Sequence, residues 1–273
     1  MSTDWSRTFT PGVAPPSHAA PPRPGVLRIP YGDQPQQFGD LRRPDGAAGP
    51  TPVVLVIHGG AYVNKYHLDL MDGLCDDLTE RGVATWNIEY RRVGDPGAEW
   101  PGMFLDVAAA ADHLYRLAPD YQLDLGRVAA LGHSAGGHLA LDLAARPRRA
   151  KSGMTPLALR GVVAVAPVVN LLTTYPDRPG TCNILMGGSP DEVLDRYRDV
   201  SPLDQLPLGL PIRVVVGNQD SLAPGCRQYV ARAQALGDPA QLVELPGVDH
   251  FEPILRGSPA WERTRRAALS SLG

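Results

Sequence analysis

The segment Leu131-Gly132-His133-Ser134-Ala135-Gly136-Gly137-His138 decides the fold of this 273-residue chain. It places one serine between residues 127–131, a short apolar run that predicts a buried strand, and residues 137–146, whose apolar positions recur on one helical face. A serine at such a junction sits on a sharp turn, with its hydroxyl exposed at the carboxyl edge of the sheet. Glycines flank it because a side chain there would clash with the turn. Ser134 is therefore the candidate nucleophile, although these residue types also form ordinary strand-to-helix turns.

A glycine-rich loop follows the strand predicted upstream of this turn. Residues 52–57 form a continuous apolar run typical of a buried parallel strand, and they end in His58-Gly59-Gly60-Ala61-Tyr62. Small residues at this edge let backbone N–H groups approach a ligand oxygen. Acyl transfer needs such donors, because its tetrahedral intermediate carries negative charge on the former carbonyl oxygen. We expect the N–H groups of Gly60, Ala61 and Ala135 to form this oxyanion hole; a glycine turn that binds nothing is the alternative.

An acid and a base follow the last two predicted strands. Residues 211–216 precede Asp220, and residues 241–246 precede His250, so both side chains are expected at the carboxyl edge of the sheet. The order Ser134, Asp220, His250 is that of the α/β-hydrolases. In this interpretation His250 takes the proton of Ser134, and Asp220 orients the imidazole and stabilises its charged form.

Each of these residues has a simpler interpretation. Asp220 can instead cap the helix that begins near Pro224. Asp249 is a competing acid, although an immediate neighbour in sequence seldom reaches the far side of the His250 ring. His250 itself can be an ordinary loop histidine. Three residues in the required order, each after its own strand, favour the catalytic interpretation.

Several neighbours of these motifs are candidates for secondary roles. Tyr62 and His133 are predicted to contact substrate, with packing as the alternative for Tyr62. His58 is expected to brace the oxyanion loop. The charged side chains that follow the next strand are expected to tie loops together by salt bridges; they are Glu89, Arg91 and Arg92.

Apolar runs and helical patterns alternate along the chain, which predicts an α/β fold with a mostly parallel sheet covered by helices on both faces. The separated motifs must converge, so residues 26–273 are expected to form one domain. Residues 167–210 interrupt the alternation and predict a small cap insertion. A helix is predicted over about 68–81, and another begins at Pro101 with Phe104, Val107 and Tyr115 on one face. Residues 1–25 are rich in proline and small residues and are expected to form a flexible arm.

Composition excludes several classes of function. A net charge of −3 provides no basic field for nucleic acid, and no apolar run approaches the roughly 18 residues of a membrane-spanning helix. The beginning of the chain lacks the apolar core of a signal peptide. Three cysteines at scattered positions suggest neither a disulfide framework nor a metal site, so we expect a cytoplasmic protein without metal or cofactor. Homodimer formation is left open.

The chain resembles the α/β-hydrolase superfamily, most closely the branch of kynurenine formamidase-like enzymes and small bacterial esterases of the hormone-sensitive-lipase and feruloyl-esterase type. The resemblance covers about residues 26–271. The stretches that carry it are His58-Gly59-Gly60, Gly132 to His138, Tyr31-Gly32, Asp40-Leu41, Pro44, Glu89-Tyr90-Arg91-Arg92, Leu185-Met186-Gly187-Gly188 and Ser201-Pro202. Ala61 stands where hormone-sensitive-lipase relatives usually carry a third glycine.

This resemblance implies a serine hydrolase that cleaves a small carboxylic ester through an acyl-enzyme. Two alternatives use the same three residues: hydrolysis of an aryl formamide, and acyl transfer to an alcohol or amine. A non-catalytic binding protein of the same fold is a further alternative, although such proteins frequently lose a residue of the motif and this chain keeps them all.

Overall fold

The computed structural model describes residues 21–149 and 155–273, and in these residues a single eight-stranded sheet organises the chain. The strands run in the spatial order β1-β2-β4-β3-β5-β6-β7-β8, and β3 to β8 are parallel. Their bounds are β1 Leu27–Pro30, β2 Phe38–Arg42, β3 Thr51–Ile57, β4 Ala84–Ile88, β5 Leu123–His133, β6 Gly161–Val165, β7 Ile212–Gly217 and β8 Ala240–Leu245. The predicted α/β-hydrolase fold is confirmed.

Helices cover both faces of the sheet because the buried strands are apolar on both sides. In β3, Val53, Leu55 and Ile57 belong to one hydrophobic cluster, and Val54 and Val56 belong to the other. The first cluster also contains residues of α2 Gly102–Asp112, α3 Leu114–Tyr121, α4 Ala135–Arg149 and α8 Ala223–Ala235. The second contains residues of α1 Asp72–Thr79 and α9 Pro259–Ser270.

Two of the predicted helices are divided in the structure. The stretch expected as one helix over 68–81 consists of a 3-10 helix, Leu68–Met71, followed by α1. The helix expected to begin at Pro101 ends at Asp112, and the chain continues as α3. Leu114 and Leu117 are the buried residues of α3, whereas Tyr115 is 44% exposed, so its predicted place on the buried face of the helix was wrong.

Residues 167–210, which were predicted to form a cap, contain only short helices. These are α5 Leu171–Thr174, a 3-10 helix Tyr175–Asp177, α6 Pro179–Met186 and α7 Pro190–Val200. Hydrogen bonds of backbone N–H groups tie the segment to the domain, with Trp100 N–H donating to Leu185 C=O at 2.7 Å and Leu208 N–H donating to the Asp238 carboxylate at 2.7 Å. The segment is thus anchored near the beginning of α2 and near the beginning of β8.

The arm predicted over residues 1–25 lies outside the described residues as far as residue 20. Within the described part of this arm, Arg23 forms ion pairs with Asp72 at 3.0 Å and Asp76 at 2.9 Å. The cysteines Cys75, Cys182 and Cys226 are buried and unpaired. None of the helices among the described residues is long and apolar enough to cross a membrane.

Candidate active site

Ser134 occupies a strained turn between β5 and α4. Its φ of +54° lies in the left-handed region, and its N–H donates to the Val165 C=O at 2.8 Å. The neighbouring glycines are sterically required, because a Cβ on Gly132 would lie 2.0 Å from the Gly136 carbonyl oxygen. A Cβ on Gly136 would lie 2.1 Å from the carbonyl oxygen of Ile57, at the end of β3. The turn therefore holds the serine close against the beginning of the glycine-rich loop.

The left-handed conformation of Ser134 predicts a stability difference between two inactive variants. A non-glycine residue in this region costs about 1–2 kcal/mol. Ser134→Gly removes that strain and Ser134→Ala keeps it, so we expect the glycine variant to unfold with a free energy roughly 1 kcal/mol higher, after allowance for the entropy of glycine in the unfolded chain. Urea denaturation of the two proteins measures the difference. A glycine variant that is equally or less stable would contradict the proposed strain.

Asp220 and His250 form a hydrogen-bonded pair at the carboxyl ends of β7 and β8. Asp220 Oδ2 lies 2.6 Å from His250 Nδ1, and both side chains are buried. The other carboxylate oxygen, Oδ1, accepts from the Leu222 N–H at 2.9 Å, which fixes the acid on its loop. Nδ1 of His250 therefore carries the hydrogen that it donates to Asp220.

Asp249, the competing acid, has a different role in the structure. Its Oδ1 accepts hydrogen bonds from the N–H groups of Phe251 at 2.8 Å and Glu252 at 3.0 Å, at the beginning of the 3-10 helix Glu252–Ile254. Asp249 is exposed, whereas Asp220 is buried against the imidazole. The carboxylate paired with His250 is thus that of Asp220.

His133 connects this pair to the serine turn. Its Nε2 donates to the backbone carbonyl of His250 at 2.9 Å, and the centroids of the two rings are 4.6 Å apart. Since His133 directly precedes Ser134, the base and the candidate nucleophile are brought to the same edge of the sheet. Burial, followed by the proximity of His250, holds the pKa of His133 well below its usual value of 6.5. The ring is therefore neutral. It packs beside His250 and helps to hold that residue near the serine turn.

The buried His133 also predicts how stability depends on pH. In the unfolded chain this histidine binds a proton near pH 6.5, whereas in the folded protein it stays neutral. The stability associated with the neutral ring is therefore complete above pH 6.5 and is lost as pH falls towards the folded pKa. We expect His133→Asn to weaken the decline of the free energy of unfolding between about pH 7 and 5. Burial also lowers the pKa of the half-buried His113, but less than that of His133, so His113→Asn should weaken the decline by less. An equal effect in both variants would contradict the assignment.

The loop after β3 presents three consecutive residues with positive φ: Gly60 at +128°, Ala61 at +54° and Tyr62 at +66°. Among the described residues, no hydrogen bond uses the backbone N–H of Gly60, Ala61 or Ala135. Ala135 is the first residue of α4, where N–H groups have no partner within the helix. The three N–H groups predicted as oxyanion donors are thus all without an acceptor.

Tyr62 and His133 were predicted to contact substrate, and their burial does not fit that role. Tyr62 is 2% exposed, and its hydroxyl donates to His138 Nδ1 at 2.8 Å. His138 Nε2 in turn donates to the Val200 C=O at 2.6 Å. Tyr62 therefore takes the packing role that the sequence allowed as an alternative, because the left-handed loop turns its ring inwards.

Charged residues near the loop form salt bridges, as expected. Arg91 pairs with Asp106 at 2.6 Å, and Glu89 contacts both Arg92 at 3.0 Å and His58 at 2.9 Å. The described residues contain no group of three or more His, Cys, Asp or Glu side chains placed to hold a metal ion.

Sequence reasoning missed two side chains at this site. Phe251 lies edge-on to His250, with ring centroids 5.1 Å apart, and 5.5 Å from the His133 ring. His138 is the second, because its hydrogen bonds join the oxyanion loop to the cap segment. The position of His138, one helical turn after Ser134, is the sequence signal that could have indicated its contact with the oxyanion loop.

Comparison with known families identifies the family of this chain. A family model described as BD-FAE matches residues 40–234, which is more than half of the chain. The chain belongs to the BD-FAE family. The predicted relation to esterases of the feruloyl-esterase type is confirmed by this match.

Several proteins similar to this chain are named as esterases. Esterase LipC of Mycobacterium tuberculosis is 28% identical over 89% of the BD-FAE chain, which spans 63% of LipC's own length. The structure of a truncated carbohydrate esterase from gut microbiota has a TM-score of 0.77 at 17% identity, over 89% of this chain and 94% of that one. Esterase B from Lactobacillus rhamnosis has a TM-score of 0.77 at 22% identity, over 91% and 85% of the two chains. The two structures show a common fold.

Proposed function

We propose that the protein is a carboxylic ester hydrolase that uses Ser134 as nucleophile, His250 as base and Asp220 as the acid that orients it. One observation carries the proposal. The Asp220–His250 pair, 2.6 Å apart, lies against His133, the residue before the strained serine. The names of similar proteins such as Esterase LipC support hydrolysis of an ester over the other reactions of this fold.

The proposed reaction begins when the Ser134 hydroxyl attacks the ester carbonyl and His250 Nε2 takes its proton. Asp220 keeps the hydrogen on Nδ1 and stabilises the imidazolium that forms. The N–H groups of Gly60, Ala61 and Ala135 bind the oxyanion of the tetrahedral intermediate. The imidazolium then protonates the departing alcohol, and an acyl-enzyme ester remains on Ser134.

Water completes the cycle in a second addition and elimination. His250 removes a proton from the water as it attacks the acyl carbonyl, and the same oxyanion donors bind the charge. Collapse of the intermediate returns the proton to Ser134 and releases the carboxylic acid. No cofactor enters this scheme, and the small size of the cap segment favours a small ester. A cytoplasmic location and a homodimer stay predictions.

Purified protein should hydrolyse short p-nitrophenyl esters such as the acetate and butyrate. The comparison that tests substrate class is the ratio of kcat/KM for these esters to kcat/KM for N-formylkynurenine. We expect the ratio to favour the esters. A higher kcat/KM for the formamide would replace the ester assignment with the formamidase alternative, and product analysis with added alcohol would detect acyl transfer.

A further inference from the structure

The loop that supplies the oxyanion donors is held at both ends by one carboxylate. It leaves β3 at His58 and reaches the 3-10 helix at Leu68. His58 Nε2 lies 2.9 Å from Glu89 Oε1 at the beginning of the loop. At its end, the Leu68 N–H donates to Glu89 Oε2 at 3.2 Å, and His67 Nδ1 lies 3.3 Å from the same oxygen. Glu89 therefore holds the two ends of the loop together, and we call the carboxylate with these contacts the clamp.

Hydrogen-bond partners define the charges of this cluster. His58 Nδ1 lies 2.7 Å from the Gly59 carbonyl and its Nε2 lies 2.9 Å from the Glu89 carboxylate, so both ring nitrogens face oxygen acceptors. Burial alone would raise the pKa of Glu89, but attraction to His58, with hydrogen bonds from His58 and His67 and the charge of Arg92, lowers it well below its usual range. The clamp therefore contains a buried ion pair between Glu89 and Arg92.

Other contacts extend the clamp to the backbone of the loop. Arg92 Nη1 contacts Glu89 at 3.0 Å and also donates to the Tyr66 carbonyl. Tyr66 packs on the oxyanion glycine, since a Cβ on Gly60 would lie 2.7 Å from the Tyr66 Cβ. The hydroxyl of Tyr90 donates to the His58 carbonyl at 2.7 Å, and the two rings stack. Movement of the carboxylate would be transmitted to the segment that carries Gly60 and Ala61.

We propose that Glu89 is a positioning residue for the oxyanion donors: its buried carboxylate sets where the N–H groups of Gly60 and Ala61 point. Glu89 is 1% exposed, and its carboxylate contacts His58, the Leu68 N–H and Arg92. Its effect on catalysis therefore acts through His58 and the loop end at His67 and Leu68. This inference rests on the proposed ester hydrolysis, in which those N–H groups stabilise the transition state.

The variant that tests it is Glu89→Gln, which keeps the shape of the side chain and removes its charge. Asp106→Asn is the matched control, because Asp106 is equally buried and bonded to Arg91 by the same kind of ion pair, but holds α2 and contacts no residue of the loop. Both variants lose a buried negative charge. Only Glu89→Gln is expected to disturb the oxyanion donors.

The measurement compares p-nitrophenyl acetate with its thiono analogue, in which sulfur replaces the carbonyl oxygen. Sulfur lies further from carbon and accepts hydrogen bonds weakly, so donors placed for an oxyanion favour the oxoester. For Glu89→Gln we expect kcat on the oxoester to fall roughly 10- to 100-fold with KM little changed, and the oxoester-to-thionoester ratio of kcat/KM to fall with it. Asp106→Asn should keep the wild-type ratio and have a similar loss in Tm.

Four outcomes would overturn the proposal. A wild-type ratio in Glu89→Gln, or an equal change of ratio in both variants, assigns Glu89 a general structural role. Absence of oxoester hydrolysis in the wild-type protein removes the proposed function itself and this inference with it. If Glu89→Gln does not fold, Glu89→Asp replaces it, because the shorter carboxylate keeps the charge but cannot reach both ends of the loop. An unchanged ratio in Glu89→Asp would then contradict the proposal.

Discussion

Replacement of Ser134 by alanine is expected to lower kcat for p-nitrophenyl acetate by roughly 10⁴-fold or more. The variant lacks the oxygen that forms the acyl-enzyme, so only substrate binding and the oxyanion donors remain. The alanine keeps the volume and the left-handed turn, and the protein should fold as the wild type does. Steady-state kinetics and a thermal unfolding curve on the same preparation measure both expectations.

The control for this variant is Ser221→Ala, at an exposed serine next to Asp220. It should keep kcat within about threefold, because surface substitutions away from special contacts have small effects. Retention of substantial hydrolysis by folded Ser134→Ala would contradict the assignment of the nucleophile. A loss of activity in both variants would instead indicate that the substitutions disturb the structure at the carboxyl edge of the sheet.

Asp220→Asn is expected to cause the second large decrease in kcat. Asparagine accepts or donates at the same place but does not hold the hydrogen on His250 Nδ1, and it provides no negative charge beside the imidazolium. By analogy with a serine protease in which the same change was made, kcat should fall by about 10⁴-fold. The decrease in kcat should be much larger than any change in KM, because the carboxylate acts on the transition state.

Asp249→Asn is the matched control for Asp220→Asn. Both are aspartates on the loops at the carboxyl edge, but Asp249 accepts only the N–H groups of Phe251 and Glu252. An asparagine oxygen can accept the same hydrogen bonds, so kcat should stay within about threefold. A greater loss from Asp249→Asn than from Asp220→Asn would reverse the assignment of the acid.

Much of the fold was predictable because its signals are local. Runs such as residues 52–57 and 211–216 are too apolar and β-branched for exposed segments, and the structure has β3 and β7 there. Chain order and the parallel sheet then bring the ends of separate strands to one edge. Ser134, Asp220 and His250 follow three such strands, so their common edge could be predicted from the sequence alone.

Features that depend on packing between distant segments could not be predicted in this way. The turn at Ala61 and Tyr62 is left-handed without a glycine at either position, so nothing local indicates that Tyr62 points inwards to His138. The division of the helix near Asp112 likewise has no glycine or proline at the break, and it left Tyr115 exposed. Glu89 resembles any carboxylate after a strand until its contacts with both ends of the loop are known.

The central claim is that Ser134 is activated by His250 at the carboxyl edge of the sheet. Its most direct test is reaction with a fluorophosphonate, followed by peptide mass spectrometry of the modified protein. We expect one adduct per chain, on the peptide that contains Ser134, and none in Ser134→Ala. The wild-type protein should label much faster than His250→Ala. Absence of labelling, an adduct on another residue, or a rate independent of His250 would contradict the account.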